Sequence, residues 1–333
     1  MANKAITAII IMLIICFSLI ISTPMVIIST ILSPYGRIVE KIPFSYKPTS
    51  PSIMDELNIN VDLGDIEIKY ITEPVDYCTK IDVKIEMVGP GLAEKSYYDY
   101  FNIVWENTSG RVNFTISLKA GINQAEVLSV VKNINITVAL KANVICDINV
   151  FTFIQGSVDI SVPWSFSVGK ILVNVSKGNI NYYFSDCIIE GTIIGIVQEV
   201  GNIELKMNDV EYEKNGLWTF SADIGNIVIE INQDKTTIAN ISGTIGTNIG
   251  NYGLAYLDNN VDVGAHFILW VNPDDITFHQ RITEIVGFEE PNLDVVDGID
   301  VYTIISNDYP ALYNYNLSFS LPNGYYNIDL QNS

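Results

Sequence analysis

A glycine followed by a small or polar residue and then by alternating apolar positions recurs along this 333-residue chain. Gly64-Asp65 leads Ile66, Ile68 and Tyr70, and Gly156-Ser157 leads Val158, Ile160 and Val162. Gly169-Lys170 leads Ile171, Val173 and Val175, and Gly178-Asn179 leads Ile180, Tyr182 and Phe184. Gly201-Asn202 leads Ile203, Leu205 and Met207, and Gly225-Asn226 leads Ile227, Ile229 and Ile231. Gly156 to Gly178 and Gly169 to Gly191 each span 22 residues, Gly178 to Gly201 spans 23 and Gly201 to Gly225 spans 24. One coil of a β-solenoid needs a period of about 20 to 25 residues, made of short strands and tight corners. Glycine suits corners where the chain takes positive φ or passes close to its neighbour. The register predicts a side-chain ladder of Asn179, Asn202 and Asn226. The competing arrangement is an antiparallel β-sandwich with glycine turns.

Strand patterns continue outside the repeat, over Leu57 to Tyr70, Lys80 to Met87, Phe101 to Trp105, Arg111 to Leu118 and Asn133 to Leu140. One short helix is expected at Ala125 to Lys132. The fold class is therefore all-β, a β-solenoid or in the alternative a sandwich, preceded by one transmembrane helix. No charged residue separates Lys4 from Arg37, and Ala5 to Leu32 is apolar enough to cross a bilayer, which takes about 20 residues. Pro24 limits the continuous helix to Ala5 to Thr23. A cleaved signal peptide is the alternative, but its apolar core runs about 7 to 15 residues. The stretch thus reads as an uncleaved signal anchor. Arg37, Lys41 and Lys47 oppose simple positive-inside counting, yet large domains translocate regardless, so the bulk of this single-pass chain is placed outside the cell membrane. The expected layout is 1–32 anchor, 33–52 proline-rich stalk, 53–150 N-terminal β region, 151–265 solenoid repeats and 266–333 acidic C-terminal β region.

Composition removes several function classes. Hydrophobic residues make up 48%, too many for a disordered chain, and 38 acidic against 18 basic residues give a net charge of −20, the wrong sign for nucleic acid. Residues 156–333 hold 6 basic and 23 acidic groups and so carry −17 of that charge. Such a surface favours a cationic or calcium-bridged partner over an acidic polymer.

Candidate sites are few. Asn107, Asn113, Asn135, Asn174, Asn240 and Asn316 begin Asn-x-Ser/Thr glycosylation sequons. Alternation turns Asn113, Asn135 and Asn174 outward. No cofactor is expected. The best calcium candidate is Asp294, Asp297 and Asp300 beside Gly298, with Glu289 and Glu290 upstream, although the spacing does not match the Asp-x-Asp-x-Asp-Gly loop. His266 and His279, among Asp258, Asp262, Asp274, Asp275 and Glu284, lack the short ligand spacing of a zinc site. The pair Asp274-Asp275 is the place to look for glycan cleavage, but strand neighbours point to opposite faces. Trp164, Trp218 and Trp270, with Tyr325-Tyr326, are candidates for stacking on sugars, against a structural role at the solenoid ends. Cys16 lies in the anchor, and Cys146 with Cys187 is the candidate disulfide, leaving Cys78.

The order of strands Gly64-Asp65-Ile66-Glu67-Ile68, Asn135-Ile136-Thr137-Val138, Asp147-Ile148-Asn149-Val150 and Gly156-Ser157-Val158-Asp159-Ile160, followed by the Gly-Asn-Ile strands, resembles the family of β-helical cell-surface domains provisionally named adhesins. The resemblance covers about residues 55–255 and departs at Ala139-Leu140-Lys141, where that family has a proline. It implies a β-helical domain outside the cell with no reaction to carry over. The expected function is non-catalytic binding or adhesion, to surface glycans, surface proteins or copies of itself, with no nucleic acid. The alternatives are a self-associating structural component of the surface and a glycan-active enzyme.

Overall fold

The computed structural model describes residues 35–48, 54–90, 92–93, 95–212, 214–233, 240–258, 263–271, 282–296, 299–311, 313–321 and 324–332. These residues are almost wholly β, with one α-helix, α1 (Gln124–Val130). The Asn123 side chain caps α1 by accepting from Ala125 N–H at 2.9 Å. The chain divides into two compact units. The smaller combines Met1–Glu40, Ile85–Phe101 and Lys119–Asn133, and buries Leu92, Tyr97 and Val127. The larger combines Lys41–Lys84, Asn102–Leu118 and Ile134–Ser333.

In chain order, β1 (Tyr35–Tyr46) is followed by β2 (Glu56–Leu63) and β3 (Asp65–Ile71), which meet at Gly64. Then come β4 (Thr79–Pro90), β5 (Phe101–Thr108), β6 (Arg111–Leu118) and, after α1, β7 (Val131–Lys141). The repeats run through β8 (Asp147–Gln155), β9 (Val158–Val162), β10 (Ser167–Val168), β11 (Ile171–Lys177), β12 (Ile180–Ser185), β13 (Ile188–Ile189), β14 (Ile193–Val200), β15 (Ile203–Asn208), β16 (Glu211–Tyr212), β17 (Gly216–Ile224), β18 (Ile227–Gln233) and β19 (Ile241–Asp258). The remaining strands are β20 (Val263–Val271), β21 (Ile282–Val286), β22 (Asn292–Val296), β23 (Ile299–Ile305), β24 (Tyr313–Leu321) and β25 (Gly324–Asn332).

The repeats line their strands up in three rows, the first two of five strands and the third, among the described residues, of three. The first row is β8, β11, β14, β17 and the first half of β19. The second is β9, β12, β15, β18 and the second half of β19, and the third is β10, β13 and β16. All of these pairings are parallel and in register, apart from bulges at Val175–Lys177 and Val197–Val200. Parallel pairing of strands one repeat apart rules out the antiparallel sandwich for the repeats.

Glycine makes the corners between the first two rows. Gly178, Gly201 and Gly225 have φ of 135°, 156° and 153°. Contact is the stronger constraint: a Cβ on Gly201 would collide with the carbonyl oxygen of Gly178, and one on Gly225 with that of Gly201. Beside this column the expected ladder forms and runs further than the three asparagines. Asp65 Oδ1 accepts from Ser157 N–H at 2.9 Å, Ser157 Oγ from Asn179 N–H at 3.2 Å and Asn179 Oδ1 from Asn202 N–H at 3.0 Å. Asn202 Oδ1 accepts from Asn226 N–H at 2.9 Å, and Asn226 Oδ1 from Asn251 N–H at 3.0 Å.

Inside the corners, alternation sorts side chains as the sequence predicts. Ile66, Val158, Ile180, Ile203, Ile227 and Tyr252 form one buried column, each in register with the next. Each such side chain gains roughly 1.5 to 3 kcal/mol from burial before entropy is subtracted. Glycine also makes room for large rings. Gly195 faces Phe220 and the Tyr182 hydroxyl, and Tyr182 donates to Ile194 C=O at 2.9 Å.

At both ends of the repeats the spatial order departs from the sequence order. β2 lies between β6 and β8, and β3 between β7 and β9. Likewise β24 lies between β19 and β20, and β25 between β19 and β21. β20, β23 and β22 then continue antiparallel. The proline-rich stretch differs from a bare spacer: within it β1 pairs with β4 and buries Ile38 and Tyr46, while Pro43 stays exposed. The prolines do not prevent a strand because Pro43 turns outward. Among the described residues no helix is long and apolar enough to cross a membrane, and the expected anchor at 1–32 lies outside them.

Corner contact and open space make different predictions for Gly→Ala. Gly121 has φ of 85°, but nothing lies within 4 Å of the point a Cβ would occupy, so Gly121→Ala should cost about 1 kcal/mol from φ alone. Gly201→Ala must also displace the neighbouring backbone and should cost about 2 to 4 kcal/mol. Urea unfolding of the two variants checks the difference.

Candidate binding groove

The outward residues of the second row shape a groove. Lys206, Glu230, Ala255 and Asp329 follow one another in register across β15, β18, β19 and β25. Beside them run Asn208, Asn232, Leu257 and Gln331. With strands about 4.8 Å apart, four strands span roughly 14 Å. The short Ala255 side chain between Glu230 and Asp329 leaves a depression of about 380 Å³.

Its charges are unevenly satisfied. Lys206 Nζ lies 2.7 Å from Glu204 Oε1 and 3.6 Å from Glu230 Oε2. The hydrogen bond to Glu204, aided by the charge of Glu230, raises the Lys206 pKa. These groups are exposed and contribute little to stability, but they fix the ammonium on one wall. On the other wall Asp329 Oδ1 is buried with no hydrogen-bond partner among the described residues. Such an acceptor costs about 1 to 3 kcal/mol while unpaired. Tyr183, 39% exposed and in register with Lys206, adds an aromatic surface and donates to Glu204 at 3.4 Å. Carboxylates, amides and a phenol in fixed register suit a hydroxylated ligand.

The sequence pattern turns Glu204, Lys206 and Glu230 outward but assigns none of these residues to a site. The signal that would have found Ala255 is Gly250-Asn251-Tyr252, a further corner 25 residues after Gly225. It is disguised by Tyr252 at the first inward position and by Gly253 and Ala255 at outward ones.

The residues singled out in the sequence are dispersed. Asn113, Asn135 and Asn174 do turn outward, between buried Val112 and Phe114, Ile134 and Ile136, and Val173 and Val175. Asn107 is exposed on β5. Asn113 Oδ1 accepts from Asn58 Nδ2 at 2.9 Å, and Asn240 Oδ1 accepts from Asn314 N–H at 2.9 Å. Asn316 lies on β24 in register with His266 and bonds to it.

Trp218 points into the core, where no external sugar reaches it, and its indole N–H donates to Tyr212 Oη at 2.8 Å. Gly243 stands in register with it on β19 and leaves space on that side, while Ile193 lies opposite it on β14. Trp164 is 71% exposed between β9 and β10, and Trp270 on β20 is half-buried, donating to Ser318 Oγ at 3.2 Å. Tyr325 and Tyr326 lie on β25.

Among the described residues no group of three His, Cys, Asp or Glu is placed to hold a metal. Asp294 is in register with Val301 and Asp300 with Val295, so the two carboxylates leave opposite faces of the β22–β23 pair. That alternation separates two of the three calcium candidates. Asp262, Asp274, Asp275, His279 and Asp297 lie outside the described residues, Asp258 ends β19 and Glu284 lies on β21. Glu289 and Glu290 are exposed.

Cys146 and Cys187 form no disulfide: Cys78, Cys146 and Cys187 are all free thiols. Cys146 and Cys187 pack in the interior, and burial pushes each pKa up to about 12. A thiolate is the reactive form, so both should resist iodoacetamide at about pH 8 while the protein is folded. Peptide mass spectrometry should show Cys78, which is only partly buried, alkylated first.

His266 packs against Tyr309 with ring centroids 5.1 Å apart, and burial lowers its pKa despite the bond to Asn316. Below the unfolded value of about 6.5 the unfolded chain takes up a proton that the folded chain resists. Stability should therefore fall as pH drops through that value toward the lower folded pKa, and His266→Gln should flatten this part of a pH series of melting temperatures.

No family model matches the sequence, and no curated protein matches it. Several crystal structures are loosely similar. A provisionally named cell adhesion protein from Clostridium sporogenes is 12% identical over 88% of this chain and 100% of that one, with a TM-score of 0.33. A provisionally named adhesin from Parabacteroides merdae is 11% identical over 89% and 94%, with a TM-score of 0.30. A provisionally named lipid binding protein from Parabacteroides distasonis is 14% identical over 87% and 96%, with a TM-score of 0.37. TM-scores this low carry no argument about this chain.

Proposed function

We propose that this chain is a non-catalytic binding protein of the cell surface, a β-solenoid held to the membrane by residues 1–32, with its groove at Ala255 taking hydroxyl-rich glycans. The observation that carries the reading is the groove of about 380 Å³ at Ala255, lined by Lys206, Glu230 and Asp329 and by the amides of Asn208, Asn232 and Gln331. The solenoid reading is supported by the parallel register of strands 22 to 25 residues apart, from Ile171↔Ile193 to Trp218↔Gly243. Anchoring is supported by the uncharged stretch from Ala5 to Leu32. No cofactor is part of this reading, and calcium bridging is set aside because Asp294 and Asp300 face apart.

Self-association is the second reading, favoured by β22. All five of its residues are exposed, with Leu293 and Val295 at 47% and 60%, as on an edge open to another strand.

The test is a glycan array probed with the full-length chain in detergent, alongside Ala255→Trp. The expected result is binding to neutral glycans by the wild type and a loss of about tenfold or more in the variant, with an unchanged melting temperature. Binding that survives the filled groove would place the site elsewhere. If neither glycans nor cell envelopes are bound, the binding reading fails. Light scattering that rises with protein concentration would favour self-association.

A further inference from the structure

The acidic balance of the chain conceals a local reversal. On β4, Lys80, Asp82 and Lys84 alternate onto one outward face, between buried Ile81 and Val83. β4 lies between β1 and β7 and pairs with both. Lys41 and Pro43 of β1 and Asn135 and Thr137 of β7 complete the lining of a second groove, of about 630 Å³. Asp82 is committed to Lys80, with Oδ2 2.6 Å from Nζ. Lys41 and Lys84 have no ion-pair partner among the described residues, so the groove carries a net positive charge in a chain of −20.

From this geometry we infer a second binding site, selective for sugars that carry carboxylate or sulfate groups. Lys41 and Lys84 supply the charge for the oxyanions, Asn135 and Thr137 hydrogen-bond to ring hydroxyls, and Pro43 with Ile42 gives an apolar wall for a sugar face. The acidic half of the chain does not forbid this, because charges more than about 8 Å away are largely screened at physiological ionic strength. The same reasoning revises the expectation that a cationic or calcium-bridged partner is favoured over an acidic polymer: net charge governs approach from a distance, and the local field governs the site. The sequon Asn135-Ile136-Thr137 lies on the wall of this groove, so a glycan attached at Asn135 and an anionic ligand compete for one space.

The experiment measures binding of a sulfated heparin hexasaccharide, a polygalacturonate oligomer and neutral dextran to the full-length chain in detergent. Both anionic probes should bind better than dextran, with affinity falling about tenfold between roughly 50 and 300 mM salt. Lys41→Glu combined with Lys84→Glu should abolish binding. Lys170→Glu combined with Lys214→Glu makes the same change in net charge at residues that do not line the groove and should bind like the wild type. Ala255→Trp should leave both anionic probes unaffected, which separates this site from the groove on β19. Equal loss in the two double variants would overturn the inference, as would equal binding of dextran or no binding of either anion.

Discussion

Backbone lies on backbone where Gly64, Gly156, Gly178, Gly201, Gly225 and Gly250 stack, each after the first with its Cα facing the carbonyl oxygen of the glycine before it. Any side chain there pushes successive repeats apart. Separation of the repeats would in turn break the adjoining ladder from Asp65 to Asn251, in which each side-chain oxygen takes up the N–H that a corner leaves unpaired. The glycine contact sets the spacing, and the ladder fixes the register. The groove at Ala255 depends on that register, since a slip of one residue on a strand exchanges its inward and outward faces. At Ala255 such a slip would send Asp329 or Glu230 into the core.

The repeat was legible in the sequence because it is local. Gly178, Gly201 and Gly225 with their asparagines mark the corners, and the Ile, Leu and Val residues behind them mark the inward positions. Tyr252 was not legible as an inward residue from pattern alone, although it occupies the place of Ile227 one repeat later. The interior position of Trp218 was hidden for a related reason: an isolated tryptophan gives no sign that Gly243, in register with it on the adjacent strand, vacates room for it. The basic groove was hidden by averaging. Lys41 and Lys80 are 39 residues apart and meet only through the pairing of β1 with β4.

Pairing at the two ends was beyond any spacing argument. Neighbouring repeats pair at separations such as Ile180↔Ile203, 23 residues apart, whereas Glu56 pairs with Asp147 at 91 residues and Ile241 with Tyr315 at 74. Loop-closure entropy grows only with the logarithm of length, so going from 23 to 91 residues adds about 1.2 kcal/mol. Against that stands a doubling of contact surface. An end strand in sequence order would pair on one side, but β2 pairs with both β6 and β8, and β24 with both β19 and β20. Each inserted strand therefore fills two hydrogen-bonding edges for the small extra cost of one longer loop. The arrangement also bears on the groove at Ala255. Asp329 enters it from β25, which is held on both sides by β19 and β21, so the unpaired carboxylate oxygen is fixed by main-chain bonds on two flanks.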